Sequence, residues 1–239
     1  VKPAQNFAPG RVVLHFHGGA YVSGSLKYSR ILASMLAERM QMDVLTFDYR
    51  LAPENPFPAA LYDAVKAYKW LLSQGYPSQN IALAGESAGG NLCLAVSLWL
   101  RDRGESLPGA IYCMSPWADL TGGGATYYAN AKIDPMVSPE SLLVSAKYYT
   151  GHRNPKAPYL SPIFADFSGF PPVLVQAGTN EVLLSDSHTL ADRVRWSGVT
   201  CQLQIYEGMC HVFQILGLPE SKQALAAAEE FIKNAMNIL

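Results

Sequence analysis

The sequence has almost no net charge, few cysteines and no long apolar run. Its 18 basic and 19 acidic side chains give a formal net charge of -1, which offers no electrostatic basis for binding nucleic acid or an anionic membrane. No apolar run reaches the roughly 18 residues of a membrane-spanning helix. No signal peptide is visible, so we expect a cytoplasmic protein, although the first residue is Val1 and not Met.

The four cysteines do not form a metal-binding or redox motif. None of them belongs to a C-x-x-C pair, and three lie in apolar segments, so we expect buried thiols in a reducing compartment. No H-E-x-x-H or similar ligand cluster is present, and neither a metal nor a cofactor is predicted. The cysteines are Cys93, Cys113, Cys201 and Cys210.

Short apolar segments alternate with amphipathic ones along the 239 residues. This alternation predicts an α/β fold, with a mostly parallel central sheet and helices on both faces. The size fits a single domain over residues 1–239. Strands are predicted at residues 11–16, 44–47, 81–84, 110–114, 172–176 and 200–206, and helices at 29–40, 58–73, 91–104, 185–196 and from 220 to the C-terminus.

Residues 117–170 interrupt the alternation. They contain no clear strand, are rich in Tyr, Pro and Gly, and hold one helix, with Ser138 as N-cap, Pro139 at its first position and Gly151 as its stop. Since so long an excursion between core strands is usually functional, we expect an insertion that forms a lid or pocket wall.

Gly85–Gly89 reads G-x-S-x-G and follows a predicted strand. A serine on a sharp strand-to-helix turn exposes its hydroxyl above the sheet, and the glycines permit the tight bend. The motif therefore nominates Ser87 as a nucleophile. On its own it is also compatible with a plain glycine-rich loop.

Other reactive residues follow other strands, at the sheet edge where ligands of α/β proteins gather. His17–Gly18–Gly19 follows the first strand, and the N–H groups of Gly18, Gly19 and Ala88 are predicted to form an oxyanion hole. Glu181 and His211 follow the last two strands and complete the order Ser, acid, His. We therefore predict a Ser87–His211–Glu181 triad.

Alternatives exist for the base and for the acid. His15 is expected to be a hydrogen-bonded core histidine, His17 to brace the oxyanion loop, and His188 to be exposed on a helix. Asp186 competes with Glu181, but it lies in a first helical turn, where capping and the helix dipole explain a carboxylate. We also expect Tyr21, Leu183 and Leu184 to line the substrate pocket.

Together these motifs resemble the bacterial branch of the hormone-sensitive lipase family of α/β-hydrolase esterases, over nearly the whole chain. The segment from His17 to Tyr21 matches the family's oxyanion loop, Gly85–Asn91 matches its nucleophile elbow, and Asp48–Glu54 matches its D-Y-R-L-A-P-E segment. Tyr159–Pro162 and Phe170–Pro172 match the stretch before the acid-bearing strand.

Two departures from the family accompany the resemblance. The family's acid is commonly Asp, and Glu181 stands in its place. The family also usually begins with a helical cap segment that helps to shape the acyl pocket, and we expect most of that cap to be missing here.

The resemblance implies a carboxylesterase that acts on small, short-chain acyl esters without a cofactor, and some family members form homodimers. An amidase or a long-chain lipase would use the same elbow. A receptor is a further alternative, because plant gibberellin receptors resemble the family but lack its catalytic histidine. That alternative is disfavoured here by His211.

Overall fold

A computed structural model of the chain describes residues 1–5 and 8–238. Its described residues form a sheet of six strands that all run parallel, in the order β2-β1-β3-β4-β5-β6. The predicted α/β fold with a parallel sheet is confirmed. The strands are β1 (Val12–Phe16), β2 (Asp43–Thr46), β3 (Ile81–Glu86), β4 (Ala110–Met114), β5 (Val173–Gly178) and β6 (Cys201–Tyr206).

Five α-helices connect or follow these strands and cover the two faces of the sheet. Helices α2, α3 and α6 pack with one apolar cluster, and α1 and α7 pack with the other. β1, β3, β4 and β5 are buried along their whole length, which explains why they read as continuous apolar runs. The helices are α1 (Leu26–Met40), α2 (Ala59–Ser73), α3 (Ala88–Arg101), α6 (Leu184–Trp196) and α7 (Pro219–Ala235).

Two further helices, α4 (Thr126–Ala129) and α5 (Pro139–Thr150), lie between β4 and β5. The predicted start and stop of α5 are confirmed: the Ser138 hydroxyl accepts a hydrogen bond from the Ser141 N–H at 3.2 Å, and Gly151 has a φ of 60°. The four-residue α4 was not predicted, because it is too short for a helical apolar pattern to show in the sequence.

The strands of the sheet end together at one edge, which is where the predicted catalytic residues emerge. β3 is two residues longer than the sequence predicts, so Glu86 is its last residue and Ser87 directly precedes α3. β1 lies beside β3, and Phe16 pairs with Gly85 in the register. The loop after β1 therefore begins next to Ser87.

Candidate active site

Ser87 occupies a strained turn between β3 and α3. Its backbone has φ 55° and ψ -118°, a conformation that costs a non-glycine residue on the order of 1–3 kcal/mol and is found mostly at functional sites. The turn is tight enough that a Cβ at Gly89 would overlap the Phe16 carbonyl. The Ser87 N–H donates to the Met114 carbonyl at 2.9 Å, which fixes the turn to β4. The surrounding sheet thus holds the strained serine in place.

Glu181 and His211 are in contact at the ends of β5 and β6. His211 Nδ1 lies 3.2 Å from Glu181 Oε2, and Glu181 is fully buried. The other carboxylate oxygen, Oε1, accepts hydrogen bonds from Ser115 Oγ at 2.8 Å and from the Gly178 N–H at 2.5 Å. These two bonds orient the carboxylate so that Oε2 faces the imidazole. Because a carboxylate only accepts, His211 carries its proton on Nδ1 and leaves Nε2 able to take a proton.

Ser87 and His211 line the same cavity, whose volume is about 310 Å³, and each is 7% exposed. Within residues 1–5 and 8–238, the Ser87 hydroxyl has no hydrogen-bond partner, so the Ser87–His211 bond is not formed in this arrangement. Catalytic hydrogen bonds of empty sites are often long and shorten when substrate binds. The shared cavity brings together the serine and the histidine of the predicted triad.

Asp186 lies elsewhere, under the loop that follows β4. Its Oδ2 accepts from the backbone N–H groups of Ala118 at 3.0 Å and Asp119 at 2.9 Å, and no contact joins it to His211. Burial raises the pKa of its carboxyl well above the usual range, while the bonds from the two N–H groups oppose that rise. Asp186 therefore supports the loop, and Glu181 is the carboxylate that contacts His211.

This environment makes the Asp186 contribution to stability dependent on pH. Because its pKa is higher in the folded state than in the unfolded one, the folded state binds more protons, and stability is lost as pH rises from about 4 through the folded-state pKa. Asp186→Asn removes that titration. We expect the free energy of unfolding of this variant, relative to the parent, to improve steadily as pH rises, as measured by urea denaturation across a pH series. A difference that does not change with pH would contradict this assignment.

The oxyanion loop differs from the sequence-based prediction at one position. The Gly18 N–H donates to Glu86 Oε1 at 2.8 Å, so it is not free to donate to an oxyanion, contrary to what we predicted. The N–H groups of Gly19 and Ala20 have no acceptor within the described residues, and both residues have positive φ, 112° and 53°. The N–H of Ala88, the first residue of α3, likewise has no acceptor among the described residues.

The two histidines of β1 and its loop are structural, as predicted. His15 is fully buried and bonded at both ring nitrogens, to Thr46 Oγ1 at 3.1 Å and to Glu86 Oε2 at 2.8 Å. His17 stacks on Tyr49 with ring centroids 4.1 Å apart, and its Nδ1 lies 2.7 Å from the Gly18 carbonyl. Burial lowers the pKa of His17, which favours the neutral ring.

The cavity wall is not made of the residues predicted for it. Tyr21 stacks on Tyr149 and donates to Asn91 Oδ1 at 2.8 Å, inside the core. Leu183 is buried in the core at the start of α6, and Leu184, the first residue of that helix, also lies outside the cavity lining. The three predicted residues are therefore outside the cavity lining: Tyr21 and Leu183 turn into the core, and Leu184 is half-buried at the start of α6. The apolar lining comes instead from Tyr28, Met136, Val137, Leu142, Val212 and Ile215.

Sequence reasoning also missed residues that hold Glu181 and His211 in position. Ser115 donates to Glu181 and accepts from the Val212 N–H at 3.1 Å, so one hydroxyl links the acid to the loop of His211. From the insertion, Asn130 Nδ2 donates to the Glu181 carbonyl at 2.8 Å. Ser115 directly follows β4, so the strand-end criterion that found Glu181 could have found it. Nothing in the sequence pattern marks Asn130.

In the part of the chain that the structure describes, no helix is long and apolar enough to cross a membrane.

Comparison with known proteins places this geometry in a family. A family model for proteins with an α/β-hydrolase fold matches residues 13–215. An esterase of Acinetobacter venetianus is 41% identical over 224 residues, which are 92% of this chain and 74% of that protein. An acetyl-hydrolase of Streptomyces hygroscopicus is 38% identical over 237 residues, which are 98% of this chain and 79% of that protein.

Solved structures agree. The crystal structure of an esterase from the bacterial hormone-sensitive lipase family superposes with a TM-score of 0.93 at 45% identity, covering 95% of this chain and 77% of that one. The chain therefore belongs to the hormone-sensitive lipase family of α/β hydrolases and is a serine hydrolase that acts on carboxylic esters.

Proposed function

We propose that the chain hydrolyses short-chain acyl esters through an acyl-enzyme on Ser87, with His211 as base and Glu181 as its acidic partner. The observation that carries this proposal is the 3.2 Å contact between His211 Nδ1 and Glu181 Oε2 beside the cavity that also contains the strained Ser87. That contact fixes the tautomer in which Nε2 can accept the serine proton.

The reaction has two halves. In the first, Ser87 Oγ attacks the ester carbonyl as His211 takes its proton, and the tetrahedral oxyanion is held by the N–H groups of Gly19, Ala20 and Ala88. His211 then protonates the departing alcohol, leaving an ester of Ser87. In the second, His211 deprotonates a water molecule that attacks the acyl-enzyme, and Ser87 leaves with the proton. Neither half requires a cofactor.

The size and lining of the cavity support a small acyl group. Its volume of about 310 Å³ lies at the lower end of ligand pockets. Leu142 of α5 is 4% exposed and forms part of the wall.

We also propose that residues 117–170 act as a pocket wall within a single domain, since Met136, Val137 and Leu142 all come from that segment. Pairing of two copies and a cytoplasmic location stay predictions from the sequence.

We expect the parent protein to hydrolyse p-nitrophenyl esters fastest at short acyl lengths, in a series from acetyl to dodecanoyl. Leu142→Ala enlarges the pocket and is expected to raise kcat/KM for the octanoyl ester relative to the butanoyl ester by about tenfold, the effect of making room for about one methylene in an apolar pocket. Leu143→Ala is the matched control, because Leu143 is 50% exposed and outside the lining. Fastest turnover of the dodecanoyl ester by the parent would contradict the short-chain assignment.

A further inference from the structure

Glu86, the residue before the nucleophile, is a buried carboxylate that the ester-hydrolysis steps do not use. Its side chain is 2% exposed and it contributes to the lining of the active-site cavity. A carboxylate removed from water is costly unless its oxygens are bonded. Both are: Oε1 accepts from the Gly18 N–H at 2.8 Å, and Oε2 lies 2.8 Å from His15 Nε2.

His15 extends these contacts into a chain of hydrogen bonds beneath the site. With its proton on Nε2, the imidazole donates to Glu86 and accepts at Nδ1 from Thr46 Oγ1 at 3.1 Å. Thr46 Oγ1 lies 2.9 Å from Ser29 Oγ, which can donate to it. Each member of the chain has a partner, so the carboxylate is held in one orientation, with Oε1 towards Gly18.

Gly18 packs directly against the nucleophile turn. A Cβ added to it would lie 3.1 Å from the Glu86 carbonyl oxygen, 3.2 Å from Glu86 Cγ and 3.3 Å from Ser87 Cβ. The Tyr49 hydroxyl donates to the His17 carbonyl at 2.6 Å and holds the loop on its other side. The bond from Gly18 to Glu86 thus ties the oxyanion loop to the strand that carries Ser87.

We propose that Glu86 is a positioning residue of the oxyanion hole. By accepting the Gly18 N–H, its carboxylate sets the loop so that the next two N–H groups, those of Gly19 and Ala20, stand opposite the Ala88 N–H across the reacting carbonyl. This inference rests on the proposed role of Ser87. It assigns to the variable position of the G-x-S-x-G motif the task of connecting the nucleophile to the oxyanion loop.

Two replacements of Glu86 distinguish an effect of its hydrogen bonds from an effect of its volume or its charge. In Glu86→Gln, the amide oxygen can still accept from Gly18, and its NH₂ can donate to His15 after that ring moves its proton to Nδ1. In Glu86→Met, the side chain has a similar length but accepts neither bond. We expect Glu86→Met to lower kcat for p-nitrophenyl acetate by about 10- to 100-fold. This loss is at most equal to the smallest loss measured when an oxyanion donor is removed, which is about 100-fold. Glu86→Gln should stay within about fivefold of the parent.

Positioning is distinguished from general structural damage by comparing the binding of a transition-state analogue with the binding of substrate. In Glu86→Met, the inhibition constant of an alkyl trifluoromethyl ketone, which forms a tetrahedral adduct with serine, should rise by the same factor as kcat falls. KM should change by less than about threefold. Ile232→Ala is the stability control, because Ile232 is a fully buried residue of α7 in the apolar cluster on the α1 and α7 face of the sheet. It should leave kcat and the inhibition constant unchanged.

The proposal is overturned if kcat and the inhibition constant of Glu86→Met stay within about threefold of the parent, or if only KM changes. It is also overturned if Glu86→Gln is as impaired as Glu86→Met, since charge would then matter and not the bond to Gly18. If Glu86→Met does not fold, Glu86→Ala removes both acceptor oxygens and leaves room for water, and a normal kcat there overturns the proposal. Ser87→Ala in the same assay distinguishes failure of the proposed function from failure of this inference. Full activity of Ser87→Ala would refute the role of Ser87 as nucleophile. An inactive Ser87→Ala together with a normal Glu86→Met would refute only the role of Glu86.

Discussion

Replacing Ser87 with alanine is expected to lower kcat for p-nitrophenyl acetate by about 10⁶-fold, because loss of the nucleophile ends acyl transfer and leaves only binding and oxyanion contacts. The free energy of unfolding should not fall. The φ of 55° at position 87 is unfavourable for any residue with a side chain, and alanine adds no strain to it because its side chain is smaller than that of serine. Initial rates and thermal unfolding measured on the same preparation test both expectations.

Ser97→Ala is a suitable control for that experiment. Ser97 is a fully buried serine of α3 whose hydroxyl bonds the Cys93 carbonyl one turn away at 2.9 Å, and it does not line the cavity. Its replacement should leave turnover within about twofold of the parent. Retention of full activity by Ser87→Ala would show that another group attacks the ester.

Replacing Glu181 with glutamine is expected to lower kcat by about 10³- to 10⁴-fold. The amide keeps the size of the carboxylate and can still accept from Ser115 and Gly178, but its NH₂ group would then face His211 Nδ1. The imidazole would have to carry its proton on Nε2, which removes the base from Ser87. The imidazolium formed during the reaction would also lose its compensating charge.

Asp186→Asn is the matched comparison, because it also replaces a carboxylate by an amide, only five positions along the chain. The Asp186 carboxylate accepts from the N–H groups of Ala118 and Asp119 and has no hydrogen bond to His211. We expect its kcat to stay within about tenfold of the parent. The opposite order of the two losses would assign the acidic role to Asp186.

The proposed catalytic residues could be predicted from the sequence because each lies where a strand ends. Ser87, Glu181 and His211 follow β3, β5 and β6, and parallel strands deliver the residues that follow them to one edge of a sheet. The alternation of apolar and amphipathic segments marks those strand ends within two residues. This alternation was therefore sufficient to predict the fold and to predict that Glu181 and His211 lie close together.

Side-chain direction could not be found in the same way. Tyr21 follows the oxyanion loop in sequence, yet its ring turns into the core against Tyr149. Gly18 belongs to the motif that predicts an oxyanion hole, but its N–H is taken by Glu86, whose orientation depends on His15. These outcomes depend on packing between segments far apart in the chain, which a local pattern does not encode.

Covalent labelling of the nucleophile tests the central claim most directly. The parent protein is treated with a fluorophosphonate, the residual esterase activity is followed, and the modified peptide is identified by mass spectrometry. The account predicts one adduct per chain, on Ser87, with activity lost in proportion to labelling and with labelling slowed about 10³-fold or more in His211→Ala. An adduct on another residue, or full activity after stoichiometric modification of Ser87, would contradict it.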